Sequence, residues 1–86
     1  MTRNGFIEAV ERGKSRYYRY ATEKLEGMIS VWKHEQKYVV TWEECPPGQQ
    51  YDESTYTRDD VFHFTSTDDL LKFLADSQIP IDHFEP

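Results

Sequence analysis

The sequence predicts an α+β fold. The expected form is a small antiparallel meander of three to four strands, with an N-terminal and a C-terminal helix packed on one face, in the order α-β-β-β-β-α. Three observations carry this. Residues 27–43, GMISVWKHEQKYVVTWE, hold two runs rich in β-branched and aromatic residues, separated by polar His34-Glu35-Gln36-Lys37. That is the composition of a β-hairpin with a short loop built around a type I turn. Residues 66–76 carry a clear helical pattern, and the chain's 86 residues fit one domain, 1–86, and no more.

At the N-terminus, residues 3–12 fit a short helix. Phe6, Ile7 and Val10 recur at helical spacing, with Asn4 the candidate N-cap. Gly13 stands where a helix end takes a left-handed residue, while Gly5 weakens the helix. Residues 15–22, SRYYRYAT, favour a strand, with Tyr18 and Tyr20 on one face and Tyr17 and Arg19 on the other. Residues 22–27 connect it to the hairpin.

A helical pattern competes over residues 18–36, because Tyr18, Ala21, Leu25, Met28, Ile29 and Trp32 recur at steps of three and four. An interior Gly27 and the β-branched Ile29 and Val31 favour strands instead. In residues 37–43, Tyr38, Val40 and Trp42 alternate with Lys37, Val39, Thr41 and Glu43, as a strand buried on one side requires.

Cys45-Pro46-Pro47-Gly48 ends that strand, since proline cannot continue a ladder. A polar loop of about ten residues follows, long for so small a chain and of a kind that is functional or mobile. Residues 56–65, YTRDDVFHFT, are the next strand. Tyr56, Phe62 and Phe64 are expected on one face, with Arg58 and Asp60 between them, and Val61 and His63 on the other. Ser66 and Asp69 resemble a capping box, and Asp68 and Asp69 suit the positive end of the helix dipole. Leu70, Leu71, Phe73 and Leu74 give the helix its apolar face. Ile79-Pro80-Ile81 stops it, and Phe84 is a candidate anchor for the tail.

Charge is lopsided. Residues 1–42 hold eight Lys/Arg and five Asp/Glu, net +3; residues 43–86 hold two and eleven, net −9, which together give the −6 of the whole chain. Glu43, Glu44, Asp52, Glu53, Asp59 and Asp60 gather around the long loop and the strand after it, with Tyr51 and Tyr56 interleaved. Such a patch suits a basic protein partner, such as a nuclease or another nucleic-acid-binding protein. The expected role is an interaction module, an inhibitor or regulatory partner.

The alternative is single-stranded nucleic-acid binding. Arg12, Lys14, Arg16 and Arg19 interleave with Tyr17, Tyr18 and Tyr20, cations beside stackable rings. A net charge of −6 repels a polyanion and disfavours that reading.

No catalytic constellation emerges. Cys45 is the single cysteine, so no internal disulfide forms. The preceding Glu43 and Glu44 raise a thiol pKa rather than lower it. His34, His63 and His83 show neither i, i+2 nor i, i+4 spacing, so no metal site is expected. Gly5, Gly13, Gly27 and Gly48 are scattered rather than gathered into a phosphate loop, and no cofactor is implied. A non-enzymatic protein is the expectation. No apolar run reaches the roughly 18 residues of a membrane span, and the N-terminus lacks a signal-peptide core. A cytoplasmic protein away from membranes is therefore expected. A homodimer that buries a sheet edge or an aromatic face (Tyr17, Trp32 or Trp42) is compatible with the pattern.

Overall fold

Thr2 rather than Asn4 starts the first helix. In the computed structural model, which describes residues 2–85, the Thr2 hydroxyl accepts from the Gly5 amide at 3.0 Å and α1 runs Arg3–Glu11. Asn4 falls inside the first turn, past the position where a side chain can cap. The helix ends on Gly13, whose φ of 82° lets its amide reach Val10 O and the Lys14 amide reach Ala9 O, both at 3.0 Å. That is a Schellman closure, and glycine adopts it without a steric cost.

Four antiparallel strands follow, β1 (Arg16–Ala21), β2 (Glu26–His34), β3 (Lys37–Cys45) and β4 (Arg58–Phe64), paired in the order β1-β2-β3-β4. The competing helix over residues 18–36 does not form; Tyr18 pairs with Ile29 across a strand ladder instead. The β2–β3 loop is not a type I turn. His34 pairs directly with Lys37, leaving two loop residues, and Glu35 takes a φ of 57°. A positive φ at the first loop residue marks the primed turns, whose twist matches that of the flanking strands.

The last helix, α2 (Thr67–Asp76), is capped by Ser66 Oγ, which accepts from the Asp69 amide at 3.1 Å. It closes as α1 does, through Gln78 at φ 58°, with Gln78 N bonded to Ala75 O at 3.0 Å and Ile79 N to Leu74 O at 2.9 Å.

Both helices cover one face of the sheet. Phe6 and Val10 of α1 and Leu70 and Leu74 of α2 are wholly buried against Ile29, Val31 and Val40. Each such apolar side chain contributes about 1.5–3 kcal/mol on leaving water. Phe73 packs on Phe62 and Phe64 with ring centroids 4.7 and 5.1 Å apart. Phe84 is the tail anchor, edge-on to Phe6 at 5.0 Å. Next to it, Glu85 exchanges two backbone bonds with Tyr17, at 2.7 and 2.8 Å, and so covers the outer edge of β1 at that point.

The opposite face carries no helix. Tyr17, Ser30, Thr41 and Val61 form its middle row, with Trp32, Val39 and His63 on one side and Arg19, Met28, Glu43 and Asp59 on the other. No helix of the described residues is long and apolar enough to cross a membrane.

Candidate interaction site

The long loop between β3 and β4 sits at one end of the uncovered face and is tied down by its own bonds. Gln49 N reaches Pro46 O at 3.1 Å, and Thr55 Oγ1 reaches Asp52 O at 2.7 Å. The Asp52 carboxylate accepts from the Ser54 amide at 3.2 Å and hydroxyl at 2.6 Å, capping a 3₁₀ turn over Glu53–Thr55. Tyr56 Oη donates to Gln50 O at 2.6 Å, and the Thr57 amide to Glu44 O at 2.9 Å. Against the sheet this loop walls a half-open cavity of about 530 Å³, lined among others by Arg19, Glu26, Met28, Glu43, Tyr51 and Tyr56.

Glu43 lies directly opposite Asp59 in the β3–β4 register. Like charges so placed destabilise a sheet. Burial pushes the Glu43 pKa up, and Asp59 and then Glu53 push it further the same way. The same field reaches Tyr56, whose pKa is raised by burial first and by Glu43 next. Among the described residues, no Lys, Arg or His side-chain nitrogen comes within 4.0 Å of a carboxylate oxygen of Glu26, Glu43, Glu53 or Asp59. Arg19 lines the cavity and, among the described residues, forms no ion pair.

The acidic set expected from sequence therefore divides. Asp59 and Glu53 act on Glu43, and Tyr51 and Tyr56 wall the cavity beside it. Tyr51 is 94% exposed. Tyr56 does not share a face with Phe62: it precedes β4, because the 3₁₀ turn delays the strand to Arg58. Asp52 is a capping residue.

Glu44 and Asp60 lie on the helix side of the sheet. Tyr20 Oη donates to Glu44 Oε2 and accepts from Trp42 Nε1 at 2.7 Å. Arg58 stacks over the Trp42 ring at 3.7 Å and donates to Asp60 Oδ2 at 2.8 Å. The Tyr20 pKa is pushed up to about 12 by burial and by Glu44. Both carboxylates thus have local partners.

The basic and aromatic set is split in the same way. Arg12 pairs with Glu8 at 2.7 Å, while Lys14 is exposed in the turn beyond α1. Arg16 is 9% exposed on the helix side, donating to Ser15 O at 3.0 Å. Tyr18 and Tyr20 share that side and pack against the core, whereas Tyr17 and Arg19 point to the uncovered face. The tyrosines do not form a common stacking platform.

Cys45 is buried, and burial, then Glu26, raises its thiol pKa, away from nucleophilic character. Among the described residues, no three His, Cys, Asp or Glu side chains gather as metal ligands would.

Glu26 and Met28 escaped the sequence reading. Met28 joins the site because it faces Glu43, and Glu26 because it faces Cys45, pairings that only the strand register defines. No family model matches the chain, and neither a curated protein nor a solved structure matches it.

Proposed function

We propose that this protein is a non-enzymatic interaction module, an inhibitor or regulatory partner, that captures a basic protein at the acidic end of its uncovered sheet face. The observation that carries the reading is the Glu43–Asp59 pair: two opposed carboxylates, with Glu53 near and, among the described residues, no cation within ion-pair distance of them. A cation from a partner relieves that repulsion, so the binding energy includes strain held by the free protein. Tyr51 and Tyr56 supply aromatic walls of the kind that anchor interfaces. The reading places the protein in the cytoplasm, where a single buried thiol stays reduced.

The test is affinity capture from the native cell, then titration of the purified captured protein at low and raised salt. A basic partner whose association slows with salt is expected. The double variant Glu43→Lys/Glu53→Lys should fold and bind that partner roughly a thousandfold more weakly, two contacts at hot-spot magnitude. Capture of nothing by the wild type, or equal binding by the variant, refutes the reading.

A further inference from the structure

The two outer edges of the sheet differ. Glu85 covers β1 at Tyr17, whereas no described residue pairs with the outer edge of β4. Which groups that edge offers follows from alternation along antiparallel ladders. Tyr17 gives both backbone groups to Glu85, so Tyr18 turns to its partner Ile29. Met28 and Ser30 then turn to Glu43 and Thr41, and Val40 and Trp42 turn to Phe62 and Asp60. The bond from the Thr57 amide to Glu44 O at 2.9 Å agrees, since it shows a carbonyl of this same β3 set aimed at β4. The amides and carbonyls of Asp59, Val61 and His63 are left pointing outward.

Those three side chains are also exposed, Val61 by 54%. They form an acid, an apolar centre and an imidazole in a line, which is self-complementary under a two-fold rotation. No proline or lysine blunts the strand; its charges, Arg58, Asp59 and Asp60, lie at its start, and of these Asp59 shares the uncovered face with Val61 and His63.

We infer that two copies of this chain pair β4 to β4 about a two-fold axis at Val61, forming one continuous antiparallel sheet. Val61 meets Val61 of the second copy, and each Asp59 faces His63 of the other, so imidazole N–H groups meet carboxylates on both sides of the axis. The rotation is normal to the sheet, so both helical layers share one face and both acidic cavities the other. This proposal goes beyond the partner reading above and shares Asp59 with it; that reading is tested separately, at Glu43 and Glu53.

Sedimentation equilibrium of the full chain from micromolar to millimolar concentration tests it. The wild type should reach the mass of two chains. Val61→Pro removes an outward amide without touching the β3 ladder, so it should stay folded by circular dichroism and become monomeric. Should that variant unfold, Val61→Lys, which sets two ammonium groups at the axis, should give the monomer instead. His63→Asp opposes two carboxylates at each end and should weaken the dimer roughly tenfold. Adding Asp59→His to it restores opposite partners and should restore the dimer. A wild type monomeric throughout, a dimer indifferent to the Val61 variants, or a double variant as weak as His63→Asp alone each overturns the proposal.

Discussion

Glu43 and Glu11 show how the same residue type is driven in opposite directions by its neighbours. Glu11 accepts from Lys33 Nζ at 2.8 Å and from Tyr38 Oη, and these bonds hold its pKa below 4.5. Its contribution to stability is present above the unfolded value and lost as pH falls through the folded one. Glu43 is raised above 4.5 by burial and by Asp59, so the folded state binds its proton more readily than the unfolded chain. Its contribution is therefore greatest below the unfolded pKa and declines as pH rises through the raised one. Glu43→Gln should thus stabilise the protein at neutral pH by about 0.5–1 kcal/mol, the scale of a like-charge cross-strand pair. Urea melts from pH 4 to 8 read this directly. The difference between variant and wild type should grow with pH above 4.5 and then level; a difference flat with pH refutes the assignment.

At the scale of the element, the β1–β2 ladder is organised by a ring laid over a glycine. Tyr20 faces Gly27 across the strands, and a β-carbon at Gly27 would meet the Tyr20 ring 2.1 Å away. The close approach lets Tyr20 Oη reach Glu44 Oε2 and Trp42 Nε1 two strands away. Gly27 thus weakens the strand in isolation yet permits a network that joins β1 to β3 across β2. Gly27→Ala must displace that ring and should cost about 2–3 kcal/mol, a severe single substitution. That corresponds to a Tm lower by roughly 10–20 °C for a chain of this size. A melt within about 2 °C of the wild type would show that the ring moves aside freely. The hairpin and α2 instead hold their conformations against local preference. Glu35 and Gln78 adopt φ values of 57° and 58°, where most side chains are disfavoured.

In the whole molecule, the tail is the clasp. Phe84 is 3% exposed, packed against Phe6 at 5.0 Å and Tyr18 at 5.8 Å, and it delivers Glu85 to the edge of β1. Phe84→Ala should cost about 3–5 kcal/mol, as large-to-small core changes do. It should also raise hydrogen exchange at the Tyr17 amide relative to Val31 in the wholly buried centre of β2. Loss of stability with Tyr17 still protected would mean that Glu85 is held by something other than its neighbour's ring. The charge asymmetry is likewise a property of the whole. Glu8, Glu11, Asp60 and Asp76 are paired with cations, so the unpaired carboxylates at Glu43, Glu53 and Asp59 stand out only after those pairs are removed.

Order and type of the elements were legible because they depend on near neighbours in the chain. The shared face of Tyr38, Val40 and Trp42, the Ser66 cap and the left-handed Gly13 are local signals, and each appears in the structure, although Val39 and Cys45 on the other face of β3 are buried as well. Even the failures were local: one cap displaced from Asn4 to Thr2, one turn changed in type to match strand twist, and one strand start delayed from Tyr56 to Arg58. The candidate site was legible only as a composition. Whether a carboxylate in β4 joins Glu43 or Arg58 depends on the parity of its position once the register is set, and adjacent residues such as Asp59 and Asp60 go to opposite faces. That parity follows from how the sheet, both helices and the tail bury Phe6, Leu70 and Phe84 together, which no stretch of the sequence expresses alone.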